Sequence, residues 1–288
     1  MQTSELLKKV RAIEIKTKGL STNIFAGEYH SAFKGRGMAF SEVREYQPGD
    51  DIRTIDWKVT ARFNHPYIKI FEEERELTLM LLIDVSASGV YGGNYGLKKE
   101  RITEIAAVLA FSAIQNNDKI GAILFSGKIE KFIPPKKGRS HVLTLIRELL
   151  NFEPEQKDTD ISETLGYFVN VIKKRCTAFL ISDFMDHQSI EQSLRFARNK
   201  HDLIGLRVYD PLEEELPNLG IVRMLDAESG QELYVDTASK AVREQFGKHR
   251  KEQAARTKSL FRKAGIDYTE IRTDQSYVNP LIMLFKNR

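Results

Sequence analysis

Oxygen-bearing side chains in three separate stretches of the sequence have the composition of a site for a hard metal cation. Asp84, Ser86 and Ser88 alternate in the first stretch, Thr159 lies in the second and Asp183 in the third. In an extended turn, this spacing directs residues 84, 86 and 88 to the same side of the backbone. Mg²⁺ prefers oxygen ligands and keeps some of its waters, so carboxylates and hydroxyls suit it better than Zn²⁺ or Cu²⁺. We therefore predict a Mg²⁺ site at these five residues, with Mn²⁺ or Ca²⁺ as alternative ions.

Short apolar runs alternate with longer amphipathic stretches after Glu76, a pattern that would place these side chains on a sheet. It predicts an α/β, Rossmann-like fold in which a largely parallel central sheet is flanked by helices. The unbroken apolar runs over residues 77–83 and 178–181 are typical of strands buried on both faces. Strands are predicted over residues 77–84, 119–125, 128–133, 177–183, 203–208 and 266–271, helices over 99–115, 140–150, 161–173, 189–199 and 239–264, and a hairpin over 221–226 and 232–235.

The predicted strands would bring the three stretches together. Ligands bind outside the carboxyl ends of strands in an open parallel sheet, most often where the strand order reverses. Asp84 and Asp183 end two predicted strands, and Thr159 precedes a predicted helix, so we expect their loops to converge. The alternative is purely structural: the two aspartates would form Asx turns, and Thr159 or Asp160 would cap the following helix.

The first quarter of the chain has a different character. A helix is predicted over residues 4–16, and the following residues up to 76 are interrupted by Gly and Pro and dense in charges of both signs. This divides the chain into an irregular N-terminal region over 1–76, with a short helix starting near Asp51, and an α/β domain over 77–288. We predict that many of the N-terminal charges pair with one another and that the rest face a partner, with a possible partner surface formed by Arg36, Arg44, Arg53, Trp57 and Arg62.

Composition narrows the possible functions. The chain has 288 residues, 41% of them hydrophobic, and 44 Lys and Arg against 40 Asp and Glu give a formal net charge of +4, which does not by itself imply a polyanion partner. Its single cysteine, Cys176, excludes an intrachain disulfide and a multi-thiolate zinc site. The longest apolar run, over residues 77–83, is far shorter than the roughly 20 residues of a membrane-spanning helix. We expect a soluble, cytoplasmic protein without a membrane span.

Two other functions compete with simple metal binding. In a metal-dependent hydrolase, Asp84 or Asp183 would act as a general base on metal-activated water, but such enzymes usually have several direct carboxylate or histidine ligands. The stretch over residues 240–263 has nine basic residues against two acidic ones and could bind nucleic acid or an acidic protein surface. We favour a solvated helix face for this stretch, because Val242, Phe246, Leu260 and Phe261 supply apolar anchors.

Two motifs resemble known families. The pattern of Asp84, Ser86 and Ser88 with a later Thr159 and Asp183 resembles the metal-ion-dependent adhesion site of von Willebrand factor type A domains. Residues 33–62 read FKGRGMAFSEVREYQPGDDIRTIDWKVTAR and resemble the signature of the DUF58 family. Two residues depart from the pattern of relatives, because Gly89 stands where Met is frequent and Asp158 where Gly is common.

The resemblance implies a bacterial protein that binds other proteins and is not an enzyme. It implies a MoxR-type AAA+ ATPase as partner and a role in assembling, activating or inserting metal into a client protein. Ser86, Ser88 and Thr159 would bind Mg²⁺ directly, Asp84 and Asp183 largely through water, and an Asp or Glu of the client would complete the coordination.

Overall fold

Two antiparallel strands form the smaller of two units, which lies within residues Phe33–Leu77. The computed structural model describes residues 11–13, 39–72, 77–86, 98–156, 158–185, 190–225 and 232–288. Strand β1 (Ala39–Glu45) pairs with β2 (Tyr67–Glu72), and helix α1 (Trp57–Phe63) lies between them in sequence. These strands were not predicted, because they are short, contain several charged residues and lie in a stretch interrupted by Gly and Pro. Of the helix predicted over 4–16, only residues 11–13 belong to the described part, and they are helical.

The short helix predicted to start near Asp51 is present, but it does not continue to Val59. Asp51 caps only a 3₁₀ turn, Ile52–Thr54, where its side chain accepts from the amide of Arg53. The chain then becomes extended at Ile55, which pairs with Ile68 of β2. Asp56 starts α1 by accepting from the amides of Lys58 and Val59. Pairing with β2 therefore separates the two helical turns.

The larger unit contains Thr78–Arg288 and is built around a six-stranded sheet. Its strands in chain order are β3 (Thr78–Asp84), β4 (Lys119–Phe125), β5 (Ile129–Lys136), β6 (Thr177–Ser182), β7 (Asp202–Tyr209), the separate hairpin β8 (Ile221–Leu225) and β9 (Glu232–Asp236), and β10 (Asp267–Arg272). Its helices are α2 (Lys98–Gln115), α3 (Arg139–Asn151), α4 (Ile161–Val171), α5 (Glu191–Lys200), α6 (Pro211–Glu214), α7 (Lys240–Ala264) and α8 (Val278–Lys286). The predicted α/β class is confirmed, and the helices α6 and α8 were not predicted.

The order of strands in the sheet is β10-β7-β6-β3-β4-β5, with only β5 antiparallel to its neighbour. From β3 the chain builds outward through β4 to β5 and then returns to the other side of β3 as β6. The strand order therefore reverses between β3 and β6, and this is the place where ligands bind in open α/β sheets. Asp84 ends β3, and Asp183 directly follows β6.

Both faces of the sheet are covered by apolar packing. Met80 and Leu82 of β3 belong to a buried cluster with residues of α4, α5 and α7, including Phe168, Leu194 and Phe261. Alternate residues point to the opposite face, where Phe179 of β6 contacts Phe285 of α8 with ring centroids 6.2 Å apart. Within the described residues, no helix is long and apolar enough to cross a membrane.

Two glycines should respond in opposite directions to substitution by alanine. A Cβ on Gly121 of β4 would lie 2.7 Å from the carbonyl oxygen of Ile133 and 2.8 Å from the nitrogen of Pro135, both backbone atoms of β5. We expect Gly121→Ala to lower the free energy of unfolding by about 1–3 kcal/mol. Gly166 in α4 has open space around the same position, so Gly166→Ala should raise stability by about 0.5–1 kcal/mol. Urea unfolding measures both, and equal effects would contradict the packing argument.

Candidate functional site

Asp84 joins the ends of strands β3 and β6. Its side chain is buried, and the hydroxyl of Ser182 donates to its Oδ2 atom over 2.6 Å. The amide of Ser86 donates to its Oδ1 atom over 3.0 Å, which folds the chain back directly after β3. The same Ser182 hydroxyl accepts from the amide of Phe184 over 2.9 Å. The two strand ends are thus tied together at the point of order reversal.

Asp183 is held by a buried lysine that the sequence interpretation missed. Lys98, the first residue of α2, is 1% exposed, and its Nζ atom donates to Asp183 Oδ2 over 2.7 Å. The same ammonium donates to Glu213 Oε1 of α6, also over 2.7 Å. Lys98 therefore bridges two carboxylates from different loops. The sequence signal for Lys98 is its position on the helix, because it lies four and seven residues before the buried Ile102 and Ile105 and so on the same face of α2.

The position of Glu213 is fixed by the short helix α6. Asp210 starts this helix by accepting from the amide of Leu212, and its other carboxylate oxygen accepts from the hydroxyl of Thr273 over 2.8 Å. The next residue, Glu214, forms an ion pair with Arg207 at 3.0 Å. The second acceptor of Lys98 is therefore attached to the rigid end of β7.

The charges at the site act on one another. Burial and the neighbouring charge of Asp183 raise the pKa of Asp84 to about 6, although hydrogen bonds from Ser182 and Ser86 oppose this rise. Burial alone would lower the pKa of Lys98, but Asp183 and Glu213 raise it above its ordinary value. Burial raises the pKa of Glu213, against the charge of Lys98. Lys98 is therefore a charged ammonium, and the surroundings of Asp84 disfavour its ionised form.

The loop that carries Thr159 lies against the end of β4. The amide of Asp160 donates to the carbonyl of Ser126 over 2.9 Å, and a Cβ on Gly127 would collide with the carboxylate of Asp158. Asp160 also caps α4 by accepting from the amide of Glu163. Thr159 is half-buried between these anchors. The loops of Asp84 and Asp183 are joined at the ends of β3 and β6, and the loop of Thr159 lies against the end of β4, the neighbour of β3. Ser88 lies outside the described residues.

The structural alternative for the two aspartates is also present in part. Asp84 accepts from the amide two residues later, as an Asx turn requires, and Asp183 Oδ1 accepts from the amide of Met185 over 3.2 Å. Phe184, which lies between Asp183 and Met185, has a left-handed φ of 56°, which is uncommon for an aromatic residue. These turns orient the carboxylates and leave the metal prediction as a prediction.

The donor set fits a hard cation and does not fit zinc. In the part of the chain that the structure describes, no three His, Cys, Asp or Glu side chains form a group that could hold a metal ion. The predicted site depends on hydroxyls and water instead, which are ligands that Mg²⁺ accepts. A cation near Asp84 would also offset its burial and its repulsion from Asp183. Asp84, Ser86 and Asp183 are therefore the described residues that suit such an ion.

The predicted partner surface of the smaller unit divides into paired and exposed residues. Arg44 forms a bidentate contact with Asp50, at 2.8 and 2.7 Å, so its guanidinium belongs to the expected network of balanced charges. Arg53 and Arg62 are exposed, and Trp57 is 71% exposed. Arg36 lies outside the described residues. Trp57 with Arg53 and Arg62 is the part of this surface that can meet a partner.

Helix α7 packs by one side and presents most of its basic residues to solvent. Phe261 is fully buried and contacts the rings of Phe184 and Tyr268, each at 4.9 Å between centroids. Arg243 and Arg250 are half-buried and bond within the protein, Arg243 to the carbonyls of Thr237 and Ala238. The seven other basic residues are exposed. Phe261 thus provides the apolar anchoring that a solvated helix face requires.

Cys176 does not have the surroundings of a nucleophile. Its thiol is buried and lies 3.4 Å from Nδ1 of His201. Burial, with the charge of Asp202, raises the pKa of this thiol to about 12, whereas a reactive cysteine needs a lowered pKa.

One family model matches most of the chain. Residues 42–256 match the family described as "Protein of unknown function DUF58". The chain is 28% identical over 288 residues to the uncharacterized protein Mb1516 of Mycobacterium bovis, which covers 99% of this chain and 90% of that protein. It is 33% identical over 110 residues to the uncharacterized protein YeaD of Bacillus subtilis, covering 38% of this chain and 25% of YeaD.

One solved structure gives a similar fold. It is an aerotolerance-related membrane protein from Bacteroides fragilis with multiple mutations to serines. The match has a TM-score of 0.50 and 15% sequence identity and covers 74% of this chain and 100% of that chain. At this identity the likeness concerns the fold alone.

Proposed function

The chain belongs to the DUF58 family of proteins of unknown function, and from this starting point we propose that it is a metal-ion-dependent protein-interaction factor. A divalent cation, Mg²⁺ first and Mn²⁺ or Ca²⁺ as alternatives, would bind beside Asp84, Ser86 and Asp183, with Ser88 and Thr159 as further ligands. When bound, the cation supplies a positive charge that a carboxylate of another protein can ligate.

The observation that supports this proposal is the pairing of two buried carboxylates at the reversal of strand order. Asp84 and Asp183 are each 5% exposed, and the charge of Asp183 contributes to the raised pKa of Asp84. Lys98 offsets the charge of Asp183, but burial still disfavours the ionised form of Asp84, and a cation beside Asp84 would favour that form. Buried like charges of this kind concentrate at functional sites.

The chain's own residues would position and limit the ion. Ser182 fixes the orientation of the Asp84 carboxylate, and the amide of Ser86 fixes its other oxygen. Hydroxyl ligands bind Mg²⁺ weakly without additional carboxylates, so a partner's Asp or Glu would strengthen the coordination. By resemblance to the family, we propose a MoxR-type AAA+ ATPase as one partner and a client protein as the source of that carboxylate.

We propose binding, and not hydrolysis, as the activity. A raised pKa near neutrality would suit Asp84 as a general base, as the hydrolase alternative requires. However, both of its oxygens accept hydrogen bonds from Ser182 and Ser86 that orient the loop, and Asp183 is engaged by Lys98. These contacts suit carboxylates that hold an ion through water better than a base that must exchange protons with a substrate.

Calorimetric titration of Mg²⁺ and Mn²⁺ into metal-stripped protein tests the proposal. We expect saturable binding by the wild type and a loss of at least about tenfold in affinity for Asp84→Ala and Ser86→Ala, because each removes a ligand or its orienting group. Circular dichroism checks that both variants remain folded.

Ser112→Ala is the matched control for the serine variant. Ser112 is also buried, but it lies near the far end of α2, where its hydroxyl donates to the carbonyl of Val108. Its substitution should leave metal affinity unchanged. Wild-type protein that binds neither ion at millimolar concentration would contradict the proposed function. If binding is found, capture of the AAA+ ATPase should require Mg²⁺ and fail with Ser86→Ala.

A further inference from the structure

The ammonium of Lys98 already contacts one of the two carboxylates at which the proposed cation would bind. Its Nζ atom lies 2.7 Å from Asp183 Oδ2, and its side chain is 1% exposed. A buried ammonium at this distance neutralises the charge that would attract a second cation, and two cations near one carboxylate repel each other strongly where water is scarce.

The second contact of Lys98 gives it an alternative position. Glu213 Oε1 also lies 2.7 Å from Nζ, and the Glu213 side chain is 13% exposed. Because α6 is held by Asp210 and Thr273, Glu213 stays in place if the contact to Asp183 is lost. Lys98 could then leave Asp183 without becoming an unpaired buried charge, a state that is strongly unfavourable.

We propose that Lys98 is an intramolecular competitor of the divalent cation for Asp183, with Glu213 as the acceptor that retains Lys98 when the ion binds. This inference rests on the proposed function and adds regulation to it: the site binds metal weakly in the isolated protein and strongly once Lys98 has moved to Glu213. A partner's carboxylate that ligates the ion would favour this second state.

Calorimetric titration of Mg²⁺ into three variants tests the competition. Lys98→Met should tighten binding by about tenfold or more, since a charge within a few ångströms shifts such equilibria by one or more powers of ten. Glu213→Gln should weaken binding, because Lys98 then has only Asp183 as an ionised acceptor. Lys99→Met is the matched control: Lys99 is the adjacent residue and donates to the carbonyl of Phe152, so its loss should leave the affinity unchanged.

The double variant Lys98→Met/Glu213→Gln removes one positive and one negative charge. The two carboxylates that remain, Asp84 and Asp183, have the same total formal charge as the three carboxylates and one ammonium of the wild-type site. A tenfold gain in affinity in this variant would therefore report the lost contact with Asp183 and not a change in net charge. It removes the ionised Glu213 together with the ammonium, so it should lose less stability than Lys98→Met.

The outcomes separate this inference from the proposed function. Wild-type binding with an unchanged affinity in the double variant would overturn the competition and leave the metal site intact. Tighter binding by the double variant than by the wild type supports the competition. No binding by the wild type or by the double variant would overturn both proposals.

Discussion

Lys98→Met should lower the free energy of unfolding of the metal-free protein by about 3–5 kcal/mol, because it removes the buried ammonium that pairs with the buried Asp183 and the half-buried Glu213. Asp183 is 5% exposed, and Glu213 is oriented toward Lys98 by the capped helix α6. This is a larger effect than the loss of an exposed ion pair, which contributes about 0–1 kcal/mol. Urea unfolding in the presence of a chelator measures the loss.

Two variants distinguish the broken ion pair from a general effect on α2. Lys99→Met removes the neighbouring ammonium, which is only half-buried, and should cost about 1 kcal/mol. The triple variant Lys98→Met/Asp183→Asn/Glu213→Gln removes all three charges and should regain most of the stability lost by Lys98→Met, because neutral groups need no counter-ion. If the triple variant is as unstable as Lys98→Met, packing of the lysine side chain and not its charge is responsible.

Asp84→Asn should make the metal-free protein more stable at pH 7 and change its response to pH. Burial, with the charge of Asp183, raises the pKa of Asp84 from 3.8 to about 6, so between these values the folded protein binds more protons than the unfolded chain. Stability from this group is therefore full at low pH and is lost as pH rises to about 6, and the total is about 2–3 kcal/mol. Asparagine cannot ionise and avoids that loss.

The measurement is the free energy of unfolding of wild type and Asp84→Asn from pH 4 to pH 7 with chelator. The free energy of unfolding of Asp84→Asn should increase relative to that of the wild type as pH rises. Asp56→Asn is a control for which the opposite pH dependence is expected. Burial acts to raise the pKa of Asp56, but hydrogen bonds from Val59, Lys58 and Lys69 hold it below its usual value. Stability from Asp56 is therefore lost as pH falls. If the difference between the wild type and Asp84→Asn does not change with pH, the carboxyl of Asp84 has an ordinary pKa.

Apolar periodicity was enough to predict the sheet and its helices. The strand predicted over 119–125 matches β4 at both ends, and the helix predicted over 239–264 differs from α7 by one residue. These elements bury unbroken apolar runs or regular stripes, and such patterns are visible in the sequence. The antiparallel strands β1 and β2 were not predicted, because their backbone pairing leaves little apolar periodicity in the residues.

The candidate site could be predicted only in part, for a similar reason. The predicted strand ends identified Asp84 and Asp183 as candidate site residues, since a parallel sheet brings the carboxyl ends of its strands to one edge. Lys98 and Glu213 are 115 residues apart, and a lysine in a charged sequence is ordinarily solvated. Only the folded structure shows that Lys98 contacts both Asp183 and Glu213. Local spacing cannot report such long-range charge pairing.

Strand β5 has a further consequence for how the protein behaves at high concentration. It forms one edge of the six-stranded sheet, and its sequence, IEKFIPPK, contains Pro134 and Pro135 next to an irregularity in its pairing with β4. Proline has no N–H group, and an irregular strand does not match a regular one, so a strand from another molecule cannot add along this stretch. The edge is thus protected against intermolecular sheet growth, which would otherwise lead to aggregation.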